Sequence, residues 1–261
     1  MKCLKIENIS LDFGDMPILN NISATLNRGE MVGLIGPNGA GKSSLLRSIL
    51  GLVDIKSGEI IIDDNNIAHL SLKERAQKMA YAAQGPPVHW PLTVEHIVGL
   101  GRVPHLNPWQ KLTKDDEIAI KWAMERTDCI HLKERMVTTL SGGERARVLL
   151  ARVLATDTPY VMADEPVASL DPAHQLQVMT ILKNLTKSDS GVLVVLHDLS
   201  LALRFCDRII LLNEGEMLGQ DTPEIILNDE NLATIFNIRA SRWTEDGENF
   251  LIAHHLEHRT K

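Results

Sequence analysis

The stretch Gly36-Pro37-Asn38-Gly39-Ala40-Gly41-Lys42-Ser43 matches the pattern G-x-x-x-x-G-K-[ST]. Its glycines let the backbone curl so that successive N–H groups point inward at phosphate oxygens. A helix opening near Lys42 adds the partial positive charge of its N-terminus. Lys42 would reach the β- and γ-phosphates of a nucleotide, the Ser43 hydroxyl would coordinate Mg²⁺, and Ser44 continues the loop. A second Gly-rich run is Leu140-Ser141-Gly142-Gly143-Glu144. Ser141 and Glu144 have the spacing of a helix capping box. Capping accounts for Ser and Glu but not for Gly142 and Gly143, each of which costs up to ~1 kcal/mol in a helix. Glycines fit there if the backbone approaches a ligand closely. A third run, Tyr160-Val161-Met162-Ala163-Asp164-Glu165, is an apolar strand ending in two carboxylates. Neighbouring side chains on a strand point oppositely, so adjacent acids can take different tasks.

These groups need a framework that ends several strands at one place. Short apolar runs that stop at Gly or acidic residues alternate with helical patterns, which predicts a mainly parallel α/β core. Strands are expected over 2–11, 18–26, 30–35, 58–63, 79–83, 160–163 and 192–196, with a closing hairpin around Asn213-Glu214-Gly215. Helices are expected over 42–52, after Ser71 (a capping box with Glu74), and over 115–127, 173–185 and 199–205. In the 115–127 helix, Ile118 and Trp122 are read as one apolar face. From Pro86 to Asn107 the chain is rich in proline and has little strand pattern. Arg102 and His105 are read there as part of an exposed partner-binding segment. The organisation that follows is one unit, with a nucleotide-binding core over 1–87 and 159–237, an inserted helical region over 88–158, and a C-terminal tail over 238–261. His254, His255 and His258 are read as solvated residues of that tail.

The chain has 261 residues, 44% apolar and 23% charged, with a net charge of -7. That length buries a large core without covalent staples. The acidic balance argues against nucleic acid as a partner, because non-specific binding needs clustered cations. Cys3, Cys129 and Cys206 are odd in number and far apart, which fits a reducing compartment better than a disulfide framework or a zinc site. The N-terminus lacks a signal-peptide pattern, and no apolar run approaches the ~20 residues of a membrane helix. A cytoplasmic chain is expected, with any membrane link made through a partner.

The phosphate loop followed by Leu140-Ser141-Gly142-Gly143-Glu144 resembles the ATP-binding cassette (ABC) ATPases, and the resemblance runs through nearly the whole chain. It implies an α/β fold: a P-loop NTPase core with a small antiparallel β subdomain and an inserted α-helical subdomain. It implies ATP and Mg²⁺ as ligands. Asp164-Glu165 then corresponds to the Walker B acids, Asp164 binding Mg²⁺ and Glu165 polarising the attacking water. Gln84 corresponds to the Q-loop residue that senses Mg²⁺ and the γ-phosphate, and His197 to the switch histidine. Asp171 corresponds to the D-loop residue at a dimer interface, and Phe13 to an aromatic, usually Tyr, that stacks on adenine. Ser141, Gly142, Gly143 and Glu144 would bind the γ-phosphate of ATP held by the opposite subunit. Val167 and Ala146 stand where the family often has Thr and Gln; neither position carries an assigned chemical role.

The run from Thr93 to His105, with His174-Gln175 after Leu170-Asp171-Pro172, is similar to ATPases that serve bacterial importers of ferric siderophores, haem and cobalamin. This implies a homodimer on the inner face of the membrane, a multi-spanning permease whose cytoplasmic helix enters a groove beside Gln84, and an extracytoplasmic solute-binding protein. The alternative is a soluble ATPase scaffold for cofactor assembly, which neighbouring permease genes would argue against.

Overall fold

The computed structural model describes residues 2–84, 91–168 and 170–256. The chain opens with β1 (Cys3–Phe13) and β2 (Met16–Asn27), an antiparallel pair, then β3 (Met31–Ile35) and α1 (Lys42–Ile49). Next come β4 (Ser57–Ile62), β5 (Asn65–Asn66), α2 (Leu72–Lys78) and β6 (Met79–Ala82). A helical stretch follows, with α3 (Val94–Gly99), α4 (Lys114–Arg126) and α5 (Gly142–Leu154). The alternation then resumes with β7 (Tyr160–Asp164), α6 (Pro172–Thr186), β8 (Gly191–Val195), α7 (Leu199–Phe205), β9 (Arg208–Asn213) and β10 (Glu216–Asp221). The chain closes with α8 (Pro223–Ile226), α9 (Asp229–Thr234), β11 (Ile238–Glu245) and β12 (Glu248–Leu256).

The strands form a four-stranded antiparallel sheet, β2-β1-β4-β5, and a six-stranded sheet, β10-β9-β3-β8-β7-β6. In the larger sheet β9, β3, β8, β7 and β6 run parallel and β10 is antiparallel at one edge. Every residue of β3, β7 and β8 is buried, as a sheet covered on both faces requires. Their alternation decides which cover each residue meets. Ile35, Val161, Ala163, Val192 and Val194 join the core that holds α5, α6 and α7. Leu34, Tyr160, Met162, Leu193 and Val195 join the core that holds α1 and the antiparallel sheet. The turn between β9 and β10 has Glu214 and Gly215 at positive φ, as a tight hairpin with right-handed twist needs.

Three readings of the sequence are corrected. The proline-rich stretch contains α3, capped by Thr93, continued by 3₁₀ turns over Leu100–His105 that take in Pro104. Arg102 is buried rather than exposed: its Nε donates to Asp116 at 2.8 Å and its Nη1 to the Ala155 carbonyl at 2.8 Å. His105 is half-buried and its Nε2 donates to the Thr156 carbonyl at 2.7 Å. Both residues lock the helical stretch onto the end of α5.

In α4 the buried stripe is Asp116, Ile120, Ala123 and Met124, while Ile118 is 65% exposed. Asp116 lies on the core side because it pairs with Arg102, and a carboxylate on the buried stripe hid that face from a hydrophobic pattern. Trp122 is half-buried, with the Arg126 guanidinium 5.6 Å from its ring centre.

Residues 238–256, expected as a tail, form the β11–β12 hairpin, on which His254 and His255 are exposed. Leu251 is buried, Trp243 stacks on Phe250, and Arg204 of α7 lies over Phe250 and pairs with Glu248. His254 and His255 belong to β12; His258 lies outside the described residues. The expected start of the helical region at residue 88 also falls outside them.

Candidate nucleotide-binding site

β3, β8, β7 and β6 are neighbours in that order and run in the same direction. Their carboxyl ends therefore open on one edge of the sheet, where ligands bind in open α/β folds. β3 leads into the loop Gly36–Gly41, β7 ends at Asp164-Glu165, β8 leads to His197 and β6 to Gln84. Sequence segments far apart are thereby brought to one place.

At the loop, Gly41 sits at φ 97 as the N-cap of α1, a backbone state that a side chain would strain. Lys42 is buried, and its Nζ donates to the carbonyls of Gly36 and Pro37 at 2.8 Å each. Burial lowers the Lys42 pKa, and the nearby charges of Glu165 and Asp164 oppose that shift. The Ser43 hydroxyl donates to Asp164 Oδ1 at 3.2 Å. The other Asp164 oxygen accepts from the Tyr81 hydroxyl at 3.3 Å. Burial, followed by the Asp164 charge, raises the Tyr81 pKa, so this phenol stays a donor.

Glu165 takes φ 50, a left-handed conformation that costs a non-glycine residue ~1–2 kcal/mol. Its two oxygens are each engaged: Oε1 lies 2.5 Å from His197 Nε2, and Oε2 accepts from Gln84 Nε2 at 2.5 Å. The structure thus brings together Lys42, Ser43, Asp164, Glu165, His197 and Gln84. Tyr81 is the member that sequence reasoning missed. The available signal was a Tyr inside the apolar strand Met79–Ala82, since a partly buried Tyr hydroxyl needs a partner.

Phe13 stands apart, 74% exposed at the tip of the β1–β2 hairpin and opposite Met16, which is 69% exposed. It is a surface aromatic and not a core one.

The second Gly-rich run has a different setting. Ser141 and Glu144 complete their capping box: Glu144 Oε2 accepts from Ser141 N at 2.9 Å and Ser141 Oγ from Glu144 N at 3.3 Å. The backbone bond from Ser141 leads the causes that lower the Glu144 pKa, and Arg135 pairs with it at 3.3 Å. Ser141 and Gly142 are exposed. Asp171, also exposed, caps α6 and accepts from His174 Nδ1 at 2.6 Å. Ser169 lies outside the described residues. Among the described residues, the side-chain hydrogen bonds of Ser141, Glu144 and Asp171 run to local partners and not to Lys42, Ser43, Asp164 or Glu165.

In the helical stretch, α3, the 3₁₀ turns and α4 frame an apolar groove of about 960 Å³, lined by Gly99, Leu100, Val103, Leu106, Ile120 and Met124 among others. Gln84 is not part of its lining. Leu100 and Val103 are 47% and 58% exposed. No helix among the described residues is long and apolar enough to cross a membrane.

Comparison with known proteins gives these features a context. Residues 19–168 match the model of the ABC transporter family. A hemin import ATP-binding protein of Pseudomonas fluorescens (strain Pf-5) is 38% identical over 96% of this chain and 99% of its own length. A cobalamin import ATP-binding protein of Halobacterium salinarum (strain R1) is 34% identical over 98% of this chain and 64% of its own length. A probable siderophore transport system ATP-binding protein of Bacillus subtilis (strain 168) is 34% identical over 91% of this chain and 87% of its own. Among solved structures, a metal-chelate type ABC transporter in an inward-facing conformation superposes with a TM-score of 0.85 at 25% identity, covering 98% of both chains.

Proposed function

This chain belongs to the ABC transporter family, whose import ATP-binding subunits hydrolyse ATP to power transport, and from that premise we propose that its cargo is a metal chelate: haem, a ferric siderophore or cobalamin. The relatives that span most of the chain are importer subunits, which sets the soluble-scaffold alternative aside. The subunit implies a membrane permease as partner. An apolar groove flanked by Glu95, Glu117, Lys121 and Lys133 suits an amphipathic cytoplasmic helix of that permease. An extracytoplasmic solute-binding protein would deliver the chelate from the other side, leaving this chain peripheral on the inner face.

The observation that carries the catalytic reading is Glu165 held from both sides by His197 and Gln84. ATP phosphates would lie on the inward N–H groups of 36–44 with Lys42 between the β- and γ-phosphates. Asp164 and Ser43 present oxygen donors side by side, the set that Mg²⁺ prefers. When bound there, Mg²⁺ neutralises charge on the β- and γ-phosphates. Glu165 orients and polarises a water for in-line attack on the γ-phosphorus as the bond to ADP breaks, and His197 holds the carboxylate and the transferred phosphoryl group. Tyr81 keeps the second Asp164 oxygen aimed. The exposed run Ser141–Glu144 supplies the opposite wall from a second copy of the chain, so that two chains packed head to tail enclose two ATP molecules, with Asp171 at their interface.

The test is reconstitution with the permease in proteoliposomes, offering haemin, a ferric siderophore and cobalamin in turn with the matching binding protein. ATP-driven accumulation of one chelate, lost in Glu165→Gln, is the expected result. Vigorous ATP hydrolysis with no chelate accumulated would reject the cargo.

A further inference from the structure

β3 and β9 lie side by side and parallel, with Ile35 opposite Leu211, so they leave the sheet together. One continues into the loop Gly36–Gly41 and the other into the turn at Glu214-Gly215. The two segments meet through backbone at both ends of the loop. A Cβ added to Gly36 would run into the Leu212 carbonyl, whose carbon lies 3.1 Å away and whose oxygen is closer still. At the other end the Gly215 N–H donates to the Ala40 carbonyl at 3.2 Å. Gly215 also faces the antiparallel sheet. Its carbonyl accepts from the Asn20 N–H of β2 at 2.8 Å, and Asn20 Nδ2 donates to Glu216 Oε1 at 3.1 Å. One residue is thus bonded to the loop by its N–H and to β2 by its carbonyl. The space around it is closed: a Cβ there would meet the Ile18 carbonyl, with the carbon at 3.1 Å and the oxygen nearer, inside the ~3.5–4 Å of ordinary contact. The β11–β12 turn has the same backbone, with Asp246 and Gly247 at φ 52 and 79 against 49 and 79 for Glu214 and Gly215. Yet a Cβ on Gly247 meets nothing within 4 Å. Turn geometry asks for glycine at both places; the neighbouring chain asks for it only at Gly215.

We infer that Gly215 is a positioning residue for nucleotide binding, which seats the phosphate loop from outside and anchors that seat on β2. The loop's amides can converge on a phosphate only while its curvature is held. Within the loop, Ala40 N–H donates to the Pro37 carbonyl at 3.2 Å, and Lys42 Nζ bonds the Gly36 and Pro37 carbonyls. When Lys42 turns to the phosphates its two bonds are released, and the Gly215 N–H on Ala40 remains. Gly215 touches no nucleotide in this arrangement and acts through Ala40. The inference rests on the reading of 36–44 as the loop that takes the phosphates.

The test uses the full chain, the variants Gly215→Ala and Gly215→Asn, and the matching pair Gly247→Ala and Gly247→Asn. Asparagine adopts positive φ more readily than alanine, so the asparagine variants keep the turn where alanine strains it. Melting temperature, amide hydrogen exchange over 36–41 without nucleotide, and the Kd values of ATP and inorganic tripolyphosphate without added metal are measured on each. Alanine at either position should lower the melting temperature. Only the Gly215 variants should speed exchange in the loop and raise both Kd values, by about 3–10-fold, the worth of one hydrogen bond. The two ligands should suffer alike, because the loop and not the adenine side is displaced. Gly215→Asn with parental exchange and parental Kd values overturns the inference, since the glycine then serves its turn alone. Equal Kd changes in the Gly247 variants overturn it too, as a general loosening of the fold, and so does a change confined to ATP. Failure of the underlying reading looks different: the parent itself would bind neither ligand, and the nucleotide role would fall with it, while faster loop exchange in the Gly215 variants would persist.

Discussion

The two glycine-rich regions of this chain are built in opposite ways. Around Lys42 and Glu165 the partners come from the ends of four different strands, two of the central groups are buried, and the hydrogen bonds span up to 121 residues of sequence. Around Ser141 the partners lie within nine residues and the surface is open. The first region is organised by contacts between distant strands; the second is an exposed surface whose side-chain hydrogen bonds, among the described residues, are local. A group that must act on a phosphate needs preorganised neighbours. A group that meets a phosphate carried by another molecule needs only a rigid, accessible backbone. In the proposed two-chain arrangement, the buried Lys42 and the exposed Ser141 would be two halves of one divided site.

The largest expected effect breaks the first half alone. Glu165→Gln removes the base and keeps the shape, so turnover should fall by about 10²–10⁴-fold while ATP still binds. Lys42→Ala should lose both, because the charge between the phosphates is gone. Steady-state phosphate release and binding of a fluorescent ATP analogue separate the two. A Glu165→Gln protein with near-normal hydrolysis would remove the acid–base role from this residue.

Breaking the second half should spare ATP binding and abolish turnover. Ser141→Arg places a long cation at the open start of α5. Glu165→Gln should form an ATP-dependent dimer on gel filtration, and adding Ser141→Arg should prevent that dimer while leaving ATP bound. Mixing Lys42→Ala chains with Ser141→Arg chains should restore hydrolysis that neither shows alone, because one site of the heterodimer is whole. If the mixture is as inactive as its components, the site is not shared between chains.

How much of this could be read from the sequence follows the same division. Motifs whose residues are contiguous, such as Gly36–Ser43 and Ser141–Glu144, were legible because backbone geometry is local. The buried strands were legible because a sheet covered on both faces needs continuous apolar runs. The buried face of α4 was not, since Asp116 on the core side breaks the hydrophobic pattern and its partner Arg102 lies in a different segment. Residues 238–256 were unreadable for a related reason: the hairpin buries little, so its apolar residues need not alternate with polar ones, and Phe250-Leu251-Ile252-Ala253 run on in sequence. The Tyr81–Asp164 and Gly215–Ala40 contacts join distant parts of the chain, which no spacing encodes.

A smaller effect contrasts the lock with the groove. Arg102→Ala leaves Asp116 buried without its partner and should cost about 3 kcal/mol of stability, read by denaturant melts, with ATP affinity unchanged. Burial alone would raise the Asp116 pKa; the Thr113 backbone N–H, the Arg102 guanidinium and the Thr113 hydroxyl outweigh it and hold the value down to about 2. A carboxylate depressed in this way stabilises the fold above its unfolded value near 4, and that contribution drains away as pH falls toward 2. Parental protein should therefore lose stability between pH 4 and 2 more steeply than Asp116→Asn. Leu100→Glu and Val103→Glu, on the exposed lining of the groove, should leave the melts unchanged and reduce co-purification with the permease.

The smallest effect is expected at Phe13, which belongs to neither half in the structure. It stands 74% exposed on the β1–β2 hairpin, with Met16 opposite, and no hydrogen bond or ring contact ties it to the loop at 36–44. Its contribution to ATP binding is then additive to the phosphate contacts, as expected for groups that share no partners. Stacking geometry is worth ~0.5–1.5 kcal/mol beyond the area buried, so Phe13→Leu should raise the Kd for ATP only a few-fold. Phe13→Tyr should leave it unchanged, because the ring face survives. Turnover at saturating ATP should be parental in both, since neither side chain reaches the γ-phosphate. A loss of kcat in Phe13→Leu with an unchanged Kd would mean that the hairpin tip acts on the second half, as a contact to the other chain, and the aromatic would move from one side of the comparison to the other.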